Sequence, residues 1–541
     1  MSESNFHQIT VHQNGSFTPK SLDYVPHPKG VGYEFFETMK KNEDKTFLID
    51  AFTGVQKTYG EVLQSCVRTA LKMQSYGVSP EDIVTINAPT TLHTCVPFIA
   101  SFFIGATMAN LDPLLTLTES LHLMKQINPK MIFVDEEDVD TLETVLESTG
   151  KSAIIVVFGN SDKYITFSEF LETNENENNF VPVPCEGSKT GLILFTSGTS
   201  GLPKGVCLSH SSYLERIAIL LSIGVCYDRF LAFSRLYWIT AVIHWGIIIL
   251  SGSSRIVLPH FDPAWAWDAI KNHKPTFMFI SPYQIATLCS EAYLQELDTS
   301  CIRRVCTAGG VIFPDQMVFY RKIFSKSEVV SILGSTETGA LTDFCTNTIV
   351  GKEFLNSKIN SLGSFLSGIS YKVVDLDSGK AVGPNTYGEL RIKSKCQFTG
   401  YYNLKVEDAW DSDGWFKTGD LVYYDEDFFL FYVERLKELL KFQTKQVPPK
   451  VVESVLQTHP NVLEVCVVGV FDRVDGEHPL ALVVLKNSSE CNIEEKLCKY
   501  VAERLEDKYR LRAGVKILDN LPKTATGKVH LRQLKKTYIY S

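Results

Sequence analysis

The sequence predicts an α/β protein with a large N-terminal domain, built on parallel-rich sheets and a small β section, and a small α+β C-terminal domain. Three observations predict it. Short apolar runs alternate with helix-compatible segments, as in repeated strand–helix–strand units. From Tyr371 the pattern changes to short strands and turns, and a compact unit begins after the charged stretch Glu434-Arg435-Leu436-Lys437-Glu438. At 541 residues the chain is also too long for one hydrophobic core. The expected division is 1–434 and 435–541, with Glu434-Arg435 as the joint.

The elements follow in order. Thr58-Tyr59-Gly60-Glu61 has capping-box spacing, and Leu63, Val67, Ala70 and Leu71 recur at helical intervals until Gly77 offers a stop. Apolar runs at Ile83 to Ile86, Met131 to Val134 and Ala153 to Phe158 read as buried parallel strands. The same grammar returns at Thr276 to Ile280, Arg304 to Cys306 and Val329 to Leu333, each followed by a loop of Gly, Ser, Thr or Pro, where ligands favour strand ends. The turn signal Asp377-Ser378-Gly379-Lys380 marks an antiparallel section. The last unit reads as a helix at Pro449 to Gln457, strands at Leu463 to Val470 and Leu480 to Val484, and an amphipathic helix over Asn492 to Arg510.

Acidic residues exceed basic ones, 62 to 53, for a formal charge of -9, which argues against nucleic acid or an anionic membrane as the main partner. Anionic ligands must then meet local cations. The N-terminus lacks a secretory pattern, and the most apolar run, Leu236 to Leu250, is short for a membrane span and contains His244. The thirteen cysteines form no C-x-x-C pair and read as reduced packing residues. The chain end, Tyr538-Ile539-Tyr540-Ser541, is not a Ser-Lys-Leu signal, so a cytoplasmic location is the expectation. Nothing in the sequence demands more than a monomer.

The most informative segment is Thr196-Ser197-Gly198-Thr199-Ser200-Gly201-Leu202-Pro203-Lys204-Gly205-Val206, directly after the apolar run Leu192 to Phe195. Glycines let backbone approach a polyphosphate, while N–H groups, hydroxyls and the Lys204 ammonium favour anionic oxygens. It is not a Walker A loop, because Pro203 stands where the second glycine should be. On composition alone it could be a plain flexible loop.

This segment resembles the signature loop of the adenylate-forming superfamily, which includes acyl-CoA synthetases, 4-coumarate-CoA ligases and beetle luciferases. Gly309-Gly310, Gly334-Ser335-Thr336-Glu337, Gly388-Glu389-Leu390, Thr418-Gly419-Asp420, Glu434-Arg435-Leu436-Lys437 and Pro522-Lys523-Thr524-Ala525-Thr526-Gly527-Lys528 match in order, and the similarity spans nearly the whole chain. The resemblance implies an ATP site formed by Thr196, Ser197, Gly198, Thr199, Ser200, Gly201, Lys204, Gly309, Gly310, Leu333, Gly334, Ser335, Thr336, Asp420, Arg435 and Lys528. It also implies a mobile C-terminal domain.

Each motif has a bland reading beside the implied one. Thr336-Glu337 offers a phosphate-binding hydroxyl and a hard carboxylate suited to Mg²⁺, yet a lone Glu at a strand end is more often solvated. Asp420 resembles the aspartate that accepts both ribose hydroxyls; without the match it would read as a turn cap. Lys528 resembles the lysine that reaches carboxylate and α-phosphate during adenylation, and Lys441 the one that replaces it for thiol transfer. Alone, either would be a surface lysine.

The sequence also departs from the pattern. Tyr237 aligns where relatives carry a tunnel histidine, and His244 reads as a packed helix residue. Leu333 replaces the aromatic residue that stacks on adenine, Glu434 the usual hinge Asp, and Thr444 a glycine beside the pantetheine channel. The expected activity is ATP-dependent activation of a carboxylic acid, then thioesterification to coenzyme A. Tyr237, Ile239, Val311 and Leu341 are the candidate acyl-site residues, and their apolar character suggests a medium- or long-chain fatty acid. A catalytically silent nucleotide- or acyl-binding relative and a luciferase-like monooxygenase are the alternatives.

Overall fold

The computed structural model describes residues 9–196, 203–225, 227–290, 298–346, 349–404, 409–443, 445–486, 492–523 and 529–539. Thr58 caps the helix Tyr59–Ser75 as its spacing predicts: its side chain accepts from the Glu61 N–H while the Glu61 carboxylate reaches back. That helix packs on the fully buried Cys95–Ile104, which lies against the first parallel sheet.

In that sheet the strand order is Gly400–Tyr401, Lys204–Ser209, Thr190–Thr196, Thr107–Met108, Ile83–Asn87, Pro129–Asp135, Ile154–Phe158 and Ile165–Thr166. Pairing is parallel except at the Lys204–Ser209 edge, where the two flanking pairs are antiparallel. The second sheet runs Glu328–Ser331, Arg304–Thr307, Phe277–Ile280, Arg229–Ala232, Ser254–Val257 and Thr46–Asp50 in parallel, with Gln56–Thr58 antiparallel at its edge. Its parallel strands are largely buried on both faces, which is why they read as continuous apolar runs. The Leu236 to Leu250 run supplies the helix Ile239–Ser251, and His244 is buried on it.

The third sheet is antiparallel: Ile369–Val374, Gly388–Ser394, Phe416–Tyr424 and Leu430–Arg435 are successive neighbours, with Phe17–Pro19 and Ile9–Val11 added at one edge. Arg435 ends its last strand, and the next strand, Leu440–Phe442, belongs to another sheet. That last sheet joins Lys445–Val447, Leu440–Phe442, Gly476–Leu485, Val462–Asp472 and Val515–Ile517, with the helix Pro449–Gln457 against Val462–Asp472.

Two sequence expectations change. The strand read as Val329 to Leu333 ends at Ser331, because Leu333 turns into a tight ladder with Leu341. The helix read over Asn492 to Arg510 covers only Ile493–Ala502; Arg510 and Arg512 both close on Asp507, turning the chain back so that Val515–Ile517 pairs with Gly476–Leu485. Among the described residues the cysteines are free and mostly buried, and no helix is long and apolar enough to cross a membrane.

Candidate functional site

The site lies where the first parallel sheet meets the antiparallel one. Thr196 ends one strand and pairs across the ladder with Lys204, so the signature segment is the connection of an antiparallel pair. Ser197, Gly198, Thr199, Ser200 and Gly201 lie outside the described residues. The carbonyl of Pro203, at the described end of that connection, lies 3.1 Å from His122 Nε2 and accepts from Gln126 Nε2 at 3.0 Å. Both side chains stand on the helix Leu117–Gln126.

Gly334 and Ser335 pair antiparallel with Gly339 and Ala340, and a Cβ on Gly334 would stand 2.6 Å from the Gly339 carbonyl oxygen. Only glycine allows that approach. The tight hairpin presents Thr336 and Glu337 at its turn. Arg216, buried on the helix His210–Ser222, fixes that turn: Nη1 donates to the Thr336 carbonyl at 2.9 Å, Nη2 to the Glu337 carbonyl at 2.6 Å, and Nε to the Cys396 carbonyl at 2.9 Å. Burial holds this guanidinium below its ordinary pKa, at about 10, so it stays a cation at neutral pH. The Glu337 carboxylate in turn accepts from the Tyr401 hydroxyl at 3.1 Å, and Lys204 Nζ stands 5.5 Å from the centre of the Tyr401 ring.

Asp420 and Arg435 are directly opposite in the antiparallel sheet. Asp420 is buried, and burial pushes its carboxyl up to about 6 despite the neighbouring guanidinium, whose Nε is 3.1 Å from Oδ1. That Nε is not well directed, and Oδ1 makes no hydrogen bond among the described residues. Arg435 Nη1 instead donates to the Thr418 carbonyl at 2.9 Å, and Gly419 takes the left-handed conformation, φ 71°, that lets the strand bend around them. A buried carboxylate oxygen without a donor is costly unless a ligand supplies one.

Gly309 and Gly310 follow the strand Arg304–Thr307; a Cβ on Gly310 would meet Pro282 at 3.2 Å, which keeps the loop against the helix Pro282–Leu288. On that helix Tyr283 carries Lys523 Nζ 4.7 Å from its ring centre, and Lys523 bridges to Val529. Lys523, at the start of the loop predicted to carry the adenylation lysine, thus touches the helix that Gly310 packs against. Lys528 itself and Thr444 lie outside the described residues.

The structure thus brings together Lys204, Thr336, Glu337, Asp420 and Arg435. It leaves Lys441 apart, exposed on Leu440–Phe442 with its N–H bonded to the Glu477 carboxylate at 2.8 Å. The candidate acyl residues divide. Tyr237 is buried and stacks on Phe195, with ring centres 6.3 Å apart, and Ile239 is half-buried at the start of its helix. Leu341 is buried in the main core, whereas Val311 is exposed at 37 %. The segment around Tyr237 is anchored by Asp112, which accepts from Trp238 Nε1 at 3.0 Å and pairs with Arg235 at 3.1 Å. Leu333 is half-buried, its N–H bonded to Thr342 Oγ1 at 3.1 Å.

Sequence reasoning missed Arg216, Tyr401 and the His122–Gln126 pair. A lone arginine amid Tyr213, Ile217 and Leu220 on an apolar helix was a signal for the first, since buried arginines need partners.

As for a cation, one hard carboxylate held by a single tyrosine hydroxyl on Oε1 fits Mg²⁺, which takes one or two protein carboxylates and completes its shell with phosphates and water. For the nucleotide, the donor-free Asp420 oxygen fits a pair of sugar hydroxyls.

AMP-binding enzymes match residues 35–402, and the AMP-binding enzyme C-terminal domain matches residues 451–528. A luciferin 4-monooxygenase of Nipponoluciola cruciata is 28% identical over 504 residues, 90% of each chain. 4-Coumarate–CoA ligase 3 of Arabidopsis thaliana is 28% identical over 511 residues, covering 92% of this chain and 90% of its own. Among solved structures, the luciferase-like enzyme from the nonluminescent Zophobas morio mealworm superposes with a TM-score of 0.74 at 33% identity, over 78% of this chain and 99% of that one. ATP-bound MatB from Rhodopseudomonas palustris gives a TM-score of 0.83 at 23% identity, over 94% and 99%, a likeness of fold. With both its large and its small part matched, the chain belongs to the adenylate-forming family of AMP-binding enzymes.

Proposed function

We propose that this protein activates a carboxylic acid, a medium- or long-chain fatty acid, with ATP and passes the acyl group to coenzyme A, releasing pyrophosphate and AMP. The observation that carries this reading is the buried Asp420 carboxylate, whose Oδ1 accepts no hydrogen bond among the described residues, in one site with Arg435, Glu337 and Lys204.

Asp420 accepts the ribose hydroxyls, and Arg435 beside it steers the nucleotide's anionic end. Lys204 and the signature segment, with Thr196 at its root, take the outer phosphates, and the Gly309-Gly310 and Gly334-Ser335 backbones leave room for the adenosine between them. Leu333 gives the base an apolar wall in place of a stacking ring. Glu337, with Thr336, would hold Mg²⁺, which when bound supplies charge for the departing pyrophosphate. The acid lies with its tail along Tyr237, Ile239, Val311 and Leu341 and its carboxylate toward the α-phosphate. Lys528 stabilises the charge that develops as carboxylate oxygen attacks phosphorus. The unit 435–541 then turns about Glu434-Arg435, bringing Lys441 in for attack of the coenzyme A thiol on the acyl carbonyl.

Pyrophosphate release from ATP with a panel of fatty and aromatic acids tests this, run with and without coenzyme A and beside Lys528→Ala. The expected result is acid-dependent release that falls about 100-fold or more in the variant, and acyl-CoA when coenzyme A is present. Release without acyl-CoA would point to another acceptor. Binding of ATP with no release for any acid would favour a silent binding protein. The luciferin 4-monooxygenase relatives motivate one further arm, light emission from luciferin with ATP and oxygen.

A further inference from the structure

Two motifs of the nucleotide site meet on a residue that belongs to neither. The short strand Gly400–Tyr401 pairs antiparallel with Lys204–Ser209, placing Tyr401 opposite Val206. Its place is fixed on both sides: the Thr399 N–H donates to the Cys207 carbonyl at 2.9 Å and the Tyr402 N–H to the Gly205 carbonyl at 2.8 Å. Side chains two apart on a strand share a face, so Lys204 and Val206 point the same way and Lys204 is the diagonal neighbour of Tyr401. That register puts the Lys204 ammonium 5.5 Å from the Tyr401 ring centre.

The other end of Tyr401 reaches Glu337. The backbone there is already held: the Glu337 carbonyl accepts from Arg216 Nη2 at 2.6 Å and from the Phe398 N–H at 3.3 Å. Only the side chain is left to orient, and the Tyr401 hydroxyl donates to its Oε1 at 3.1 Å. An ionised carboxylate offers about four lone-pair directions, so this bond leaves Oε2 for another partner. Ligating carboxylates are commonly aimed by such an outer hydrogen bond.

We propose that Tyr401 is the positioning residue of the nucleotide site, its hydroxyl aiming the Glu337 carboxylate at the cation and its ring seating Lys204 for the phosphates. The inference rests on the reading of Glu337 as cation ligand given above, and on Lys204 as phosphate ligand. It divides one side chain into two separable functions. The hydroxyl serves only cation-dependent binding, while the ring serves nucleotide binding whether or not a cation is present.

The test is binding, not turnover. Manganese(II) in the presence of α,β-methylene-ATP is titrated against the full chain by the loss of its free electron-paramagnetic signal. Affinity for the same nucleotide is measured separately with the metal removed by chelator. Tyr401→Phe is expected to weaken manganese binding about tenfold and to leave metal-free nucleotide affinity unchanged. Tyr401→Ala is expected to weaken manganese binding as much and metal-free affinity by about two- to fivefold besides. Manganese affinity untouched in Tyr401→Phe, or the two variants behaving alike in both titrations, overturns the proposal. Glu337→Gln separates it from its foundation: if that variant binds manganese as the wild type does, the reading of Glu337 fails, whatever Tyr401 does.

Discussion

Asp420 and Glu434 are buried carboxylates on neighbouring strands, Phe416–Tyr424 and Leu430–Arg435, one residue out of register with each other. Burial raises both, Asp420 to about 6 and Glu434 to about 7. Their surroundings nevertheless differ. Glu434 has both oxygens engaged: Oε1 accepts from the Arg435 N–H and Oε2 from the Lys450 N–H, each at 3.0 Å. Asp420 Oδ1 accepts no hydrogen bond among the described residues and has only the ill-directed Arg435 Nε at 3.1 Å. Burial alone therefore does not distinguish a binding carboxylate from a structural one; satisfaction does. Asp420 is an acceptor awaiting donors, whereas Glu434 ties the last strand of the antiparallel sheet to the helix Pro449–Gln457 that follows it.

The comparison breaks if the two acids respond alike to loss of charge. Asp420→Asn is expected to weaken ATP binding about 10–100-fold, because a hydrogen bond to a charged group is worth about 1.5–3 kcal/mol. Glu434→Gln should stay within about twofold, both read by calorimetric titration. A smaller effect sharpens the contrast. Protonation near pH 6 discharges Asp420, so wild-type ATP affinity should fall as pH drops from 7 to 5, by about tenfold. Asp420→Asn should lack that inflection. An inflection retained in the variant would assign it elsewhere.

Much of the fold was legible in sequence because its parts are local. A helix start needs Thr58 with Glu61, and a strand followed by small residues announces a loop, each within a few residues of its signal, whereas the candidate site residues came through the family resemblance. What holds the parts in register was not legible. Arg216 fixes carbonyls of Thr336, Glu337 and Cys396, and Tyr401 joins Lys204 to Glu337, contacts made between segments far apart in the chain. No periodicity encodes them. The overlong reading of the Asn492 to Arg510 helix has the same origin. Its amphipathic pattern persists past Ala502, but the chain must turn at Asp507 for Val515–Ile517 to join the sheet.

The smallest effect bears on the structural half of the pair. Around Glu434 stand Lys450, whose ammonium bonds the Glu453 carboxylate at 2.5 Å, and Glu438 and Lys535, which with them line a cavity of about 30 Å³. Burial outweighs the attraction of Lys450, so the folded carboxyl sits near 7 against an ordinary 4.5. A raised acid favours the protonated form in the folded state. Its contribution to stability is therefore whole below 4.5 and is lost as pH climbs through 7. Glu434→Gln cannot lose what it does not titrate. Its amide has one acceptor for two N–H donors, however, so it forfeits a hydrogen bond at every pH. The variant should melt below the wild type at pH 5, by about 2–4 °C, and the gap should close as pH rises to 8. A gap that holds constant across that range would mean that Glu434 ionises as an ordinary glutamate, charged across the whole range.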